Sequence, residues 1–153
     1  PISWRARVQR APALSVCEAE LIAAVDAGQE ARCLQNLLFE LTGLPIESFT
    51  LHCDNSAAVK ICNNPGYMCR VKHVDLRYHW LRHCVTNGDA TVVHTPGKEN
   101  PADIFTKPIP AQQFHYLLHK FACNASCSTP EQRSLHTKPE FHIYQPALLQ
   151  QCF

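Results

Sequence analysis

Three carboxylates stand where a sheet protein can gather acids. Asp54 closes a short apolar run at 49–53, Phe-Thr-Leu-His-Cys. Asp103 follows a second apolar run at 91–94 and a polar turn at 95–101, Thr-Pro-Gly-Lys-Glu-Asn-Pro. Glu20 lies in the first turns of a long amphipathic stretch. Strand ends and helix starts are where an α/β sheet collects side chains around a ligand, and hard divalent cations take carboxylate oxygens. The bland reading makes all three surface acids, with Asp54 and Asp103 as helix caps.

Other residues carry weaker signals. His79 and His83, and His115 and His119, have the i, i+4 spacing that can chelate a metal, but neither pair has the Glu of H-E-x-x-H. Cys123 and Cys127, with His136 and His142 beyond, have a finger-like flavour that suggests a zinc-binding module. Their spacer is shorter than the ~12 residues of a finger. Arg70, Lys72, His73 and Arg77 form a basic stretch that suits phosphate contact; a solvated helix start, with Asp75 favoured by the helix dipole, explains it as well. Trp4 and Trp80 read as core rather than as base-stacking platforms.

The elements that position these residues follow from period and punctuation. Residues 2–8 alternate apolar and polar, a half-exposed strand. Ser15 and Glu18 match the S-x-x-E capping box. A helix follows, with Ile22, Val25, Cys33, Leu34, Leu37, Leu38 and Leu41 as its stripe; Gly28 weakens it, and Gly43 and Pro45 stop it. A strand is expected at 49–53, and a brief helix capped within 54–56. The 63–66 turn and a basic connector at 67–72 come next, then a helix at 74–85 that Asn87-Gly88 ends. Residues 91–94 read as a strand. Pro101 opens a helix that Pro108 and Pro110 close, and 112–121 is helical. This order argues an α/β sheet covered on at least one face. Past 121 the pattern is lost, so 1–121 reads as the domain and 122–153 as a poorly ordered tail.

With 153 residues, 46% hydrophobic and 18% charged, the chain has ordinary globular composition and length for one core. No apolar run approaches the ~18 residues of a membrane span. The N-terminus is basic without an apolar core behind it, so no secretory signal is read; it also lacks Met, as if cut from something longer. Nine cysteines, several inside apolar segments (Cys17, Cys33, Cys53, Cys62, Cys84), argue free thiols in a reducing compartment. A net charge of +1 does not announce nucleic acid.

Five stretches carry a resemblance: Pro1-Ile-Ser-Trp-Arg5; Leu14-Ser-Val-Cys-Glu-Ala-Glu20-Leu; Cys53-Asp54-Asn55; Val71-Lys-His-Val-Asp-Leu-Arg-Tyr-His79; and Asn100-Pro-Ala-Asp103-Ile-Phe-Thr-Lys-Pro108. In this order and at these intervals the chain, from residue 1 to about 121, resembles the ribonuclease H domain that ends copia-type LTR-retrotransposon polyproteins. The resemblance implies a ribonuclease H-like mixed sheet flanked by helices. It implies cleavage of RNA in an RNA–DNA hybrid with two Mg2+ ions, or Mn2+ in their place. Glu20, Asp54 and Asp103 would be the metal ligands, and His94 would stand where some members carry a proton-shuttling His. Glu18 is occupied at the helix start, which leaves Glu20 to face the sheet.

Arg70, Lys72, His73 and Arg77 would meet the hybrid. The reverse transcriptase portion of the same polyprotein would be a partner, in a cytoplasmic retrotransposon particle or the nucleus. The family's first catalytic Asp lies on a strand before the Pro-Ile-Ser-Trp stretch, so this chain is expected to be an N-terminally incomplete domain, inactive alone. The other two expectations are a catalytically dead nucleic-acid-binding remnant and the C-terminal zinc module.

Overall fold

A computed structural model describes residues 3, 6, 8, 9, 12–64, 76–123 and 141–144. Helix α1 (Val16–Thr42) begins at Ser15, whose hydroxyl accepts from the Glu18 N–H at 3.1 Å. The Glu18 carboxylate accepts in return from the Leu14 N–H at 2.8 Å. The expected capping box therefore forms, its return bond landing one residue before the cap. At the far end Gly43 has φ 69° and its N–H donates to the Phe39 carbonyl at 2.8 Å, the left-handed stop that glycine permits.

The buried face of α1 is not the expected stripe. It consists of Ala19, Glu20, Leu21, Ala24, Val25, Gly28, Ala31 and Gln35. Only Val25 comes from the expected set, and Leu37 and Leu41 are 47% and 73% exposed. Small residues turn inward because they let the helix approach its neighbours. At Gly28 a Cβ would lie 3.2 Å from Trp80 Cζ3 and 3.3 Å from Leu81 Cδ1. Glycine there serves the contact between α1 and α3 (Leu76–Thr86).

Strand β1 (Phe49–Cys53) is the middle of the sheet. It runs parallel to β2 (Ala90–His94), with Phe49 opposite Ala90 and Cys53 opposite His94. It also runs parallel to β3 (Phe141–Tyr144), with Phe49 opposite Phe141 and His52 opposite Tyr144. Helices α2 (Ser56–Asn63) and α3 lie in the crossover from β1 to β2. Leu21, Val25, Leu51, Cys53, Ile61, Leu81 and Val92 share one core cluster with them. Tyr78 anchors α3 to α2 through its hydroxyl, which donates to the Ile61 carbonyl at 2.7 Å. Helix α4 (Ala111–Cys123) packs against the loop after β2, Phe121 meeting Phe105 edge-on.

The result is a parallel sheet flanked by helices, an α/β arrangement consistent with the ribonuclease H-like fold. It departs from expectation in three places. The described strands are all parallel rather than mixed: Ser3, Ala6 and Val8 of the strand expected at 2–8 are in no regular element, and the rest of that stretch lies outside the described residues. Two 3₁₀ turns, η1 (Gly97–Glu99) and η2 (Pro101–Phe105), take the place of the α-helix expected from Pro101. The tighter i→i+3 winding fits a segment bounded by Pro101 and Pro108. Finally, β3 falls inside the expected tail. Four alternating residues, Phe-His-Ile-Tyr, are too short to stand out, and what makes them a strand is a partner ninety residues away in sequence. Residues 124–140 and 145–153 lie outside the described residues.

Candidate metal centre

The C-terminal ends of β1 and β2 lie side by side, and Thr95 N–H extends the pairing by donating to the Cys53 carbonyl at 2.9 Å. Asp54 emerges at this edge. Helix α2 starts at once, but Asn55 caps it: Asn55 Oδ1 accepts from the N–H groups of Ala57 and Ala58 at 3.0 and 3.1 Å. Asn100 does the same for η2, its fully buried Oδ1 accepting from Ala102 N–H at 3.1 Å. The reading of Asp54 and Asp103 as caps therefore fails. An asparagine holds each turn, and neither carboxylate is used for that purpose.

Glu20 enters from the second turn of α1 and is buried, 6% exposed. Ligand-capable atoms of Glu20, Cys53 and Asp54 all lie within 4.8 Å of one another, the only such trio of His, Cys, Asp or Glu among the described residues. Asp103 arrives from η2, 5% exposed. Its Oδ2 lies 3.6 Å from where a Cβ of Gly97 would stand, and Asp54 Oδ2 lies 3.8 Å from that same point. Glycine at 97 leaves open the small space that both carboxylates border.

Burial raises the pKa of the Asp103 carboxyl, the Lys107 ammonium opposes the rise, and the negative charge of Asp54 adds to it. Lys107 Nζ donates to both Asp103 oxygens, at 3.4 and 3.3 Å. His94, at the exposed end of β2, donates from Nε2 to the Asp54 carbonyl at 3.1 Å.

The donor chemistry selects among metals. Burial pushes the Cys53 thiol up to about 12, and the S–H donates to the Asn55 carbonyl at 3.8 Å. That contact engages the thiol, and the other acids here are carboxylates, whose oxygens suit Mg2+ or Mn2+. The residues present therefore fit a hard divalent cation.

Arg70, Lys72 and His73 lie outside the described residues; Arg77 falls in the first turn of α3, its side chain outside the description. His79, His83, His115 and His119 are exposed and join no ligand trio. Cys127 and His136 lie outside the described residues. Asn55 stood within the expected cap at 54–56, but Asn100, Gly97 and Lys107 were given no role by sequence. The two asparagines had a local signal: each stands just before a helical turn, Asn100 with Pro101 at the first position.

Over 113 residues, 74% of its length, the chain is 41% identical to the retrovirus-related Pol polyprotein from transposon TNT 1-94 of Nicotiana tabacum. Over 120 residues, 78% of its length, it is 33% identical to the retrovirus-related Pol polyprotein from transposon RE2 of Arabidopsis thaliana, and 32% identical over the same length to that from RE1. The chain is homologous to a segment of plant-transposon Pol polyproteins. It spans 8% of the length of each of these Pol relatives. No family profile matches it, and no solved structure does. No helix among the described residues is long and apolar enough to cross a membrane.

Proposed function

We propose that this chain is a segment of a ribonuclease H-type domain within a retrotransposon polyprotein, acting on RNA–DNA hybrids with Mg2+ or Mn2+. The observation that carries the reading is that Asp54 lies within ligand reach of Glu20 and borders, with Asp103, the space beside Gly97. The three acids come from a helix, a strand end and a 3₁₀ turn far apart in sequence, two of them buried, with both local caps supplied by asparagines instead. Bare carboxylates gathered in this way repel one another, and a divalent cation relieves that repulsion. Glu20, Asp54 and Asp103 would hold the metal. Bound there, two such ions supply an activated water and neutralise the leaving oxygen of a phosphodiester.

The protein's own part is to fix the acids at a sheet edge. His94, tied to the Asp54 carbonyl through Nε2, would be the proton-transfer group at the rim. A reverse transcriptase portion of the same polyprotein would be its partner.

The test uses a labelled RNA–DNA hybrid in Mg2+ and in Mn2+. It compares 1–153 with the same chain extended at its N-terminus by the corresponding segment of the TNT 1-94 polyprotein, which supplies the first acid that the family resemblance demands. The extended form is expected to cleave the RNA strand, 1–153 to be inactive, and Asp54→Asn to abolish cleavage by the extended form. Absence of cleavage from the extended form, or cleavage that survives Asp54→Asn, sinks the reading.

A further inference from the structure

Asp103 and Lys107 differ from an ordinary i, i+4 surface pair. The Asp103 side chain is 7% exposed and that of Lys107 is 45% exposed. The carboxylate is fixed in the structure, while the ammonium rides on a flexible stem at its edge. The two contacts, at 3.3 and 3.4 Å, exceed the ~2.7–2.9 Å of short charge-assisted hydrogen bonds. A point charge straddling both oxygens at this range neutralises them more than it orients them. The same carboxylate borders, with Asp54, the space beside Gly97. Lys107 therefore stands on a ligand that a divalent cation entering this space must use.

We propose that Lys107 is a positioning residue, the resident counter-ion of Asp103, which divalent-cation binding displaces. This rests on the reading of the three acids as a metal site. A dication at Asp103 repels an ammonium on the same oxygens, so metal binding includes breaking that pair. Lys107 thus lowers metal affinity while neutralising Asp103 in the metal-free protein.

Mn2+ titrated into 1–153, with free ion counted by its EPR signal, reads this without any activity. Lys107→Met and Lys107→Gln keep much of the stem and remove the charge; Lys107→Arg keeps the charge. The Met and Gln variants are expected to bind Mn2+ roughly tenfold more tightly, the scale of one partly screened unit charge near a dication. The Arg variant is expected to stay within about twofold of the parent. Asp54→Asn is expected to abolish binding in every background.

If the parent binds Mn2+ in an Asp54-dependent way and the Met and Gln variants bind no more tightly, the counter-ion role is overturned and the metal reading survives. If the Arg variant tightens binding as much as the Met variant, charge is not the cause and the proposal also falls. If neither the parent nor the Met variant binds Mn2+, in 1–153 or in the N-terminally extended form, the metal reading falls and takes the proposal with it.

Discussion

His52 stands one residue before the acid-bearing end of β1, on the sheet face opposite the core. Its Nδ1 meets Thr95 Oγ1 at 2.9 Å, its Nε2 meets His142 Nδ1 at 3.1 Å, and its ring stacks on Tyr144 with centroids 4.3 Å apart. The two imidazole centroids are 5.4 Å apart. That is close to the nitrogen separation plus two ring radii, so the nitrogens face each other along the line of centres. This is hydrogen-bond geometry; lone pairs shared by one metal converge at an angle instead. His142 is engaged in holding β3 to β1, which argues against a zinc module built on it. Burial, then the charges of His142 and Lys120, lower the His52 pKa from 6.5 to about 4. Between those values the unfolded chain takes up a proton that the folded chain refuses, so the contribution of His52 is complete above pH 6.5 and is lost as pH falls toward 4. The melting temperature should therefore drop more steeply across this window in the parent than in His52→Gln. Parallel curves for the two proteins would remove His52 as the cause. The sequence gives no hint of this behaviour, because His52 looks like one more residue of a β-forming run until Thr95, His142 and Tyr144 surround it. The placement of Glu20 in the early turns of α1 and of Asp54 just past β1 was readable, because position at an element's edge is a local property.

At the level of elements, the same division between local and long-range causes explains what was readable. The Ser15 cap and the Gly43 stop depend on a few neighbouring residues and were both visible. The inward face of α1 was not. Hydrophobic periodicity weighs large residues, and this helix turns alanines, Gly28 and two polar residues inward while its distal Leu37, Phe39 and Leu41 stay 47%, 52% and 73% exposed. Closeness to α3 decides which face is buried, and closeness requires small side chains. Gly28 makes the argument testable. Leu81 beside it is fully buried and cannot move away readily, whereas Trp80 is only partly buried. Gly28→Leu should destabilise the fold by about 1–3 kcal/mol despite leucine's better helix propensity, as expected for overpacking. Gln29→Leu, one residue along on the exposed side, serves as the control and should be close to neutral. Urea midpoints that move equally for both would show that helix propensity, not the α1–α3 contact, governs position 28. Lys107 belongs at this level too: just past η2 its N–H donates to the Asp103 carbonyl at 3.1 Å, and this i, i+4 turn brings its ammonium to the Asp103 carboxylate.

Across the whole molecule, the sheet is completed by a strand from beyond the expected domain end. β3 pairs with the edge of β1 that β2 leaves open, and Ile143 packs against both core clusters. Without it, β1 is an edge strand with unpaired backbone groups on one side, and the residues around Leu51 and Phe49 lose part of their cover. A boundary at 121 therefore leaves one strand of the described sheet outside the domain. Two changes separate pairing from mere chain length. Truncation to 1–123 removes the strand. Ile143→Asp keeps it but places a charge against the core, an effect on the order of 2–4 kcal/mol for a partly buried aliphatic. Both proteins should unfold at lower urea than 1–153, and in both the β1 amides should exchange faster, since β1 then opens without breaking into the full core. The acids sit at the C-terminal end of β1, so Mn2+ affinity should fall with the loss of order there. Should 1–123 match the parent in urea midpoint and in β1 exchange, then β3 adds nothing to the fold, and the original boundary at 121 is the right one.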